Sequence, residues 1–275
     1  MNVKFSQEIA SLFEKGEIID LSLLIAEDLP AAWPTHMPLQ IRVWNYYTEQ
    51  NQGLHYVQSK MAFQTRWMTM DEHVGTHFDA PTHLIPPSNS GLQYANKWGD
   101  VSGEKIPVEQ MMGPAIVIDC TEFDGKAENA HSPMVGLEFV KKWEAKFGEI
   151  NADDIVVFYT GWDKHYVKGP AGDHFGKTVI SGTTPAWVSP TIETINYLFE
   201  KGVRCLATDS ASIGAAHDGI ETHVAGLGKG MVYIEALTNL GKLPPVGSYM
   251  VFLPLKIKGS SGAPGRAFAV VPAIK

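Results

Sequence analysis

The eleven-residue segment His73–His83 constrains this chain more than any other stretch of its sequence. It reads HVGTHFDAPTH, so three histidines and one aspartate alternate with small or conformationally special residues. Gly75 and Pro81 favour a turn over a continuous helix. Because a turning backbone can direct several ligand side chains at one ion, the segment predicts a metal site.

The first part of this segment has the composition of a metal-ligand set. His73 and His77 lie four residues apart, and both imidazoles can face one ion whether the backbone is helical or turns. Asp79 follows His77 by two residues, so on extended backbone their side chains point to the same side. Two imidazoles and a carboxylate suit Zn, Mn or Fe(II) and leave positions open for water and substrate. A lone histidine is usually an ordinary hydrogen-bonded residue, but this density of histidines favours a metal.

Charge and hydropathy argue against several classes of partner. The formal net charge is -8 and the Lys and Arg residues are scattered, so we expect no binding to nucleic acid or to anionic membrane surfaces. No apolar run approaches the ~20 residues that a membrane-spanning helix needs. The N-terminus MNVKFSQEIASLFEKGE carries charges throughout and lacks the apolar region of a signal peptide. These features predict a soluble cytoplasmic protein.

The periodicity of the chain predicts an α/β fold in a single domain that covers residues 1–275. No linker rich in Pro, Ser, Gly or charge divides the sequence, and 44% of the residues are hydrophobic. Strands are predicted at 61–71, 115–120, 154–162, 203–209, 248–257 and 267–274, helices at 136–147 and from Ser189–Pro190 to Gly202, and a loop at 217–223. The last two strands resemble a hairpin return, so we expect a mixed sheet or a barrel-like β core flanked by helices.

Residues 1–60 predict a helix followed by an aromatic segment. Phe5, Ile9 and Leu12 recur at helical spacing, which indicates a short amphipathic helix. The stretch 31–52 is irregular and rich in aromatic residues. Because aromatic rings bury large areas, we expect this region in the core, in a subunit interface or beside the substrate.

The eleven-residue segment also resembles a known signature. HVGTHFDAPTH is similar to H-x-G-T-H-x-D-x-P-x-H, the signature of the metal-dependent cyclase family, whose members include kynurenine formamidases, isatin hydrolases and trans-dienelactone hydrolases. Three later segments resemble further parts of this family: TDSASIG at 208–214, VYIEALTNL at 232–240 and the tail SYMVFLPLKIKGSSGAPGRAFAV at 248–270. The resemblance spans most of the chain from His73 onward. It implies a domain of the swivelling β/β/α type.

This resemblance implies metal ligands beyond the segment itself. His73, His77 and Asp79 would bind a first ion, and Asp79 could bridge to a second ion held by His223 and Glu235. Family members with two zinc ions carry this glutamate, whereas those with one manganese ion lack it. The aromatic N-terminal region of this chain is more like the one-ion branch. One or two divalent ions, Zn or Mn, are therefore both consistent with the sequence.

Two alternatives remain for the second ion. His217 competes with His223 as a ligand and ranks below it only because of the family spacing. An isolated glutamate is normally exposed, so Glu235 could instead be a solvent-facing residue on a helix.

The resemblance also implies roles beyond metal binding. His83, the last residue of the segment, would transfer protons and would not bind metal, as an imidazole beside an activated water can do. Asp209 and Ser212 would orient a ligand or pass protons, or else form an ordinary turn at a strand end. The aromatic residues that we expect around a substrate are Trp33, Phe63 and Trp67.

Together these features predict a metal-dependent hydrolase of the amide or ester carbonyl in a small aromatic or cyclic substrate: an arylformamide, a cyclic amide or a lactone. Metal-bound hydroxide would attack the carbonyl, and His83 would pass a proton to the leaving nitrogen or oxygen. Two alternatives use the same ligands, namely a metal-dependent lyase or dehydratase and a non-catalytic metal- or ligand-binding protein. Family members are typically dimers or tetramers, so the resemblance implies a homodimer or homotetramer.

Overall fold

The computed structural model describes residues 3–48, 50–51, 57–58 and 60–272. The helices in this part of the chain are α1 (Val3–Lys15), α2 (Leu137–Phe147), α3 (Lys177–Ile180), α4 (Ile192–Glu200) and α5 (Gly219–Leu227). The strands are β1 (Gly16–Asp20), β2 (Gln40–Asn45), β3 (Gln50–Asn51), β4 (Val57–Gln58), β5 (Thr65–Thr69), β6 (His77–Asp79), β7 (Met112–Asp119), β8 (Met134–Val135), β9 (Ile155–Tyr159), β10 (Ser189–Pro190), β11 (Cys205–Thr208), β12 (Val232–Glu235), β13 (Ser248–Pro254) and β14 (Gly262–Pro272). Short 3-10 turns connect many of these elements.

Seven strands form a closed barrel of mixed direction. Their order is β14, β13, β7, β9, β11, β12 and β6, and β6 pairs again with β14 to close the ring. The strands β7, β9, β11 and β12 run parallel to one another, whereas β6, β13 and β14 pair antiparallel with their neighbours. β1 pairs with the far end of β14, beyond the part that β6 occupies. The predicted α/β fold with a mixed, barrel-like core is confirmed.

Alternate side chains of the barrel strands lie on opposite sides of the wall. On β11, Cys205 and Ala207 belong to the interior cluster, while Leu206 packs in a second cluster with residues of α2, α4 and α5. Many interior positions carry small residues, such as Ala263 and Ala267 on β14. Small side chains suit a narrow barrel whose strands leave little space at the centre. The helices therefore cover the outside of the parallel strands.

Two local predictions are wrong. Ser189 and Pro190 do not begin a helix but form β10, which pairs with β8. The cap of α4 is Thr191, whose side chain accepts a hydrogen bond from the backbone N–H of Thr194. The predicted loop at 217–223 is in large part the first half of α5, which the low propensity of its glycine and β-branched residues does not signal.

Both cysteines are free and buried, as their apolar sequence context predicts. Burial raises the pKa of the Cys205 thiol far above its ordinary value, so this thiol stays protonated. Among the described residues, no helix combines the length and the apolar character that crossing a membrane requires.

Candidate metal centre

The pairing of β6 with β12 brings the histidine-rich segment to Glu235. In this antiparallel pair His77 lies directly opposite Glu235, and Asp79 lies opposite Tyr233. Opposed residues of an antiparallel pair project from the same face, so the two side chains meet. The distance from His77 Nε2 to Glu235 Oε2 is 3.6 Å, and that from His77 Nε2 to Asp79 Oδ1 is also 3.6 Å. Glu235 is a buried strand residue and not an exposed helical one.

Helix α5 supplies His223 to the same centre. Its Nε2 lies 3.4 Å from Asp79 Oδ2 and 3.5 Å from Glu235 Oε1. The helix can approach β12 closely because Gly226 has no side chain: a Cβ there would lie 2.1 Å from the hydroxyl oxygen of Tyr233. Close packing of the helix on the strand therefore fixes His223 beside Glu235.

Two further glycines leave room for the imidazoles. A Cβ on Gly214 would lie 2.3 Å from Cε1 of His223, and a Cβ on Gly262 would lie 2.7 Å from Cε1 of His73. Any larger residue at either position would push the ring out of place. The glycines of the segments TDSASIG and GSSGAPGR are thus part of the construction of the site.

Backbone carbonyls select the tautomer of two histidines. His77 Nδ1 lies 2.8 Å from the carbonyl oxygen of Gly75, and His223 Nδ1 lies 2.6 Å from that of Gly219. A carbonyl only accepts hydrogen bonds, so each ring carries its proton on Nδ1 and donates it there. Nε2 of each ring faces the carboxylates and can bind a metal once it carries no proton.

His73 faces the centre with its other nitrogen. Its Nδ1 lies 2.8 Å from Asp79 Oδ1, while its Nε2 lies 3.1 Å from the hydroxyl oxygen of Ser261. Ser261 in turn donates from its hydroxyl and its backbone N–H to Glu72 Oε2, both at 2.7 Å. This chain orients the ring as the outer hydrogen bonds of metal-binding histidines commonly do. The sequence analysis did not identify Glu72 and Ser261; Glu72 directly precedes the histidine-rich segment, and Ser261 lies within the tail segment 248–270.

The carboxylate of Asp79 has the environment of a metal ligand. Its side chain is 1% exposed, and neither of its oxygens has a hydrogen bond of good geometry among the described residues. A buried ionised carboxylate without a partner costs on the order of several kcal/mol. Ligand atoms of His77, Asp79 and Glu235 all lie within 4.8 Å of one another, which a single ion can span. The donor set of imidazoles and carboxylates fits a divalent metal.

The negative potential of the two carboxylates is visible at His223. Burial lowers the pKa of His223, but its close contacts with the carboxylates of Asp79 and Glu235 outweigh burial and raise it to about 10. Burial raises the pKa of Asp79, but the neighbouring imidazoles of His83 and His73 outweigh burial and hold this pKa well below its ordinary value. The two carboxylates therefore favour a positive charge between them, and a metal ion would compete with the proton of His223 for this position.

His83 lies at the edge of the centre, at the end of a short turn (Pro81–His83). Its ring centroid is 4.0 Å from that of His73 and 6.1 Å from that of His223. Burial, together with the neighbouring imidazoles, lowers the pKa of His83 to about 4. The ring is therefore neutral at neutral pH and can accept a proton. One of its nitrogens is also within 4.8 Å of ligand atoms of His73 and Asp79, so its assignment as a proton carrier stays a prediction.

The structure separates the two residues predicted to assist the ligands. Ser212 donates to Glu235 Oε1 at 3.0 Å and lies 3.4 Å from His223 Nε2. Asp209 instead accepts hydrogen bonds from the backbone and hydroxyl of Thr160 and from the backbone of Gly161. It joins the ends of β9 and β11, and burial raises its pKa to about 7. Asp209 thus connects two strand ends of the barrel, whereas Ser212 contacts Glu235 and His223 directly.

A cavity of about 440 Å³ opens above the ligands. Its walls are mainly apolar, and Trp33 and Trp187 meet edge to face with ring centroids 5.8 Å apart. The volume is in the range of small-molecule sites. Phe63 and Trp67 do not line this cavity and are 46% and 38% exposed, so their contact with a substrate stays a prediction.

The competing ligand His217 is not brought to the centre. It is exposed, its Nδ1 accepts a hydrogen bond from the backbone of Ser132, and its ring stacks on His131 with centroids 5.0 Å apart. Of the two histidines, the structure places His223 among the carboxylates.

Comparison with known proteins identifies the family. A family described as putative cyclase matches residues 19–215. An isatin hydrolase from Roseibium aggregatum is 35% identical over 217 residues, which cover 76% of each chain. The chain belongs to the cyclase family. A kynurenine formamidase from Salinibacter ruber is 26% identical to this cyclase over 251 residues, 91% of this chain and 95% of that protein.

A solved structure supports the same assignment. Isatin hydrolase A from Labrenzia aggregata, bound to benzyl benzoate, matches the cyclase with a TM-score of 0.75 and 28% identity. The match covers 98% of this chain and 100% of that one. The predicted hydrolase is confirmed by these relatives, against a lyase, a dehydratase or a non-catalytic binding protein.

We expect Asp79→Asn to lose metal, because an amide cannot neutralise a divalent ion in place of the carboxylate. With metal about 1000-fold above its Kd, the wild type would gain about 4 kcal/mol of stability, or roughly 10 °C in Tm. Elemental analysis and thermal unfolding with and without a chelator measure both effects. The matched control is Asp173→Asn, which alters an exposed aspartate paired with Lys177. Equal metal content in Asp79→Asn and wild type would contradict the assignment.

We expect Glu72→Gln to weaken metal binding about 10–100-fold, the usual effect of removing an outer partner of a metal-binding histidine. The amide cannot accept from Ser261 with the strength of the carboxylate, so the orientation of His73 relaxes. Competition with a metallochromic chelator measures the Kd. The control is Glu138→Gln on the exposed face of α2. An unchanged Kd would show that the chain through Ser261 has no influence on the metal.

Proposed function

We propose that this cyclase-family hydrolase uses zinc or manganese to open the amide carbonyl of a small, neutral aromatic substrate of the isatin type. The observation that carries the proposal is the apolar, tryptophan-lined cavity with the ligand set at its base. The similarity to an isatin hydrolase at 35% identity supports this substrate class.

The charge of the cavity supports a neutral substrate. Among the described residues that line it there is no Lys or Arg, so a substrate carboxylate would find neither an ammonium nor a guanidinium group to pair with. A bicyclic lactam needs an apolar aromatic wall, and Trp33 and Trp187, which meet edge to face, offer one. An amino-acid substrate such as N-formylkynurenine would bring its own charges into this apolar space at a cost in desolvation.

A second candidate is cleavage of an arylformamide, as the name of the kynurenine formamidase relative suggests. The observation that favours it is Glu235, whose position beside His223 gives the centre enough donors for two ions. Asp79 supports this arrangement because Oδ1 faces His73 and His77 while Oδ2 faces His223. Elemental analysis that finds two equivalents of metal, together with formamide cleavage, would favour the second candidate.

Metal-ligand, proton-transfer and substrate-holding roles would fall to different side chains of the site. A divalent ion held by His73, His77 and Asp79 would supply Lewis acidity toward the carbonyl and lower the pKa of a nearby water molecule. His83, neutral at working pH, would take a proton from that water and return it to the leaving nitrogen. The tryptophan walls would hold the aromatic ring and exclude bulk water.

We also propose that the protein is a homo-oligomer, either a dimer or a tetramer. On α1 the apolar residues Phe5 and Leu12 are 62% and 67% exposed. β2 and β5 form a two-stranded sheet on which Met68 is 53% exposed. A two-stranded sheet is marginally stable alone, and exposed apolar patches of this kind typically mark interfaces. A second copy of the chain is the partner that we assign to these surfaces.

We expect His83→Ala to retain its metal and to lose about 10²–10⁴-fold in turnover of isatin, the usual contribution of a positioned proton carrier. Ring opening is followed by the loss of isatin absorbance, with N-formylkynurenine and a dienelactone as alternative substrates. His131→Ala, which alters an exposed histidine outside the cavity, is the control. Full turnover in His83→Ala would refute the role, and loss of metal would make His83 a ligand instead.

We expect the double variant Phe5→Asp, Leu12→Asp to dissociate toward the monomer, since two charges cannot be buried in an apolar interface. Light scattering after size exclusion gives the mass. The control is Leu92→Asp, which places the same charge on an exposed apolar residue in a loop of another region. A monomeric wild type would refute the proposal.

A further inference from the structure

His36 adds a hydrogen-bonding group to the wall of the cavity, apart from the candidate metal ligands. It comes from the irregular segment between β1 and β2 and lies next to Trp33 in the lining. Its ring centroid is 6.2 Å from that of His73. The side chain is 33% exposed, so one edge of the ring is open to solvent or ligand.

Asp71 holds this ring in place. His36 Nδ1 lies 3.1 Å from Asp71 Oδ1, and the same oxygen accepts the backbone N–H of His73 at 2.9 Å. A hydrogen bond from the backbone N–H of His36 to the carbonyl oxygen of Trp33 closes the local turn at 3.0 Å. One carboxylate thus connects the N-terminal segment to the first residue of the ligand segment.

The pairing also decides which ring nitrogen is available. An ionised carboxylate only accepts, so the tautomer of His36 that fits this pair carries its proton on Nδ1 and donates it to Asp71. The lone pair then lies on Nε2, for which no hydrogen-bond partner occurs in residues 3–48 or 60–272. In an otherwise apolar wall, such a lone pair is an acceptor that matches a ligand N–H.

We propose that His36, positioned by Asp71, accepts a hydrogen bond from the N–H of the substrate amide and thereby selects N–H amides over N-alkylated amides and lactones. This inference rests on the proposed function, because the amide N–H is bonded to the carbonyl that the centre would open. A site that offers an acceptor discriminates against ligands without the matching donor, since its polar atom is then left unpaired. His36 would act on specificity and not on the chemical step.

The test compares ligands that differ only in this donor. Oxindole has a lactam N–H and N-methyloxindole lacks it, and both are unactivated lactams suited to equilibrium binding. We expect the metal-loaded wild type to bind oxindole about tenfold more tightly by calorimetry, as one partly exposed hydrogen bond can provide. In His36→Phe the ratio of the two Kd values should fall to about one. His36→Gln, whose amide oxygen can accept, should recover part of it.

His131→Phe is the matched control, because it makes the same exchange of side chains at an exposed histidine outside the cavity. It should keep the wild-type ratio. An unchanged ratio in His36→Phe, or no preference in the wild type, would overturn the inference, since the N-methyl group would then be excluded by shape or not at all. Metal content and circular dichroism confirm that each variant is loaded and folded.

Turnover separates this inference from the proposed function. The ratio of kcat/KM for isatin and N-methylisatin should also be about tenfold in the wild type and should collapse in His36→Phe. Preferential binding of oxindole through His36 without any opening of isatin would refute the proposed reaction and leave the inference standing. If isatin is opened but the ratio of kcat/KM is unchanged in His36→Phe, the inference is refuted and the proposed reaction stands.

Discussion

The antiparallel pairing of β6 with β12 is the interaction on which the rest of the structure depends. It completes the barrel, because β6 is the strand that connects β12 to β14. It also places His77 opposite Glu235 and brings Asp79 into the same buried space. A shift of one residue in this register would turn these side chains to the other face of the strand. The hydrogen bonds that close the barrel therefore also assemble the candidate metal centre.

The buried carboxylates of this centre reduce the stability of the fold unless positive charge compensates them. Asp79 and Glu235 are 1% and 4% exposed, and buried carboxylates are tolerated only when positive charge compensates them. The imidazole of His223 supplies part of this charge as a proton, and a divalent ion would supply more of it. Close approaches at Gly214 and Gly226 hold the ring and its helix in the required place. A divalent ion bound at this centre would therefore also add to the free energy of unfolding.

The cavity combines groups from two different parts of the fold. Its base belongs to the barrel and α5, whereas Trp33 and His36 come from the irregular segment before β2. That segment is connected to the ligands by Asp71, which hydrogen-bonds both His36 and His73. Variation in a surface segment can therefore change the substrate without disturbing the barrel.

The sequence by itself determined the features that depend on local spacing. Continuous apolar runs predicted most of the barrel strands, and the turn residues around His77 and Asp79 predicted ligands that meet within a few residues. Only the tertiary structure decided which distant groups join them. Ser261 reaches His73 across 188 residues, and His223 arrives on a helix whose sequence predicts a loop. The tertiary structure also places Trp33 in the cavity but Phe63 and Trp67 on the surface, although the sequence had suggested all three as substrate contacts. The reason is physical: hydrophobic period encodes which residues are buried, whereas strand register and helix packing decide what each of them meets.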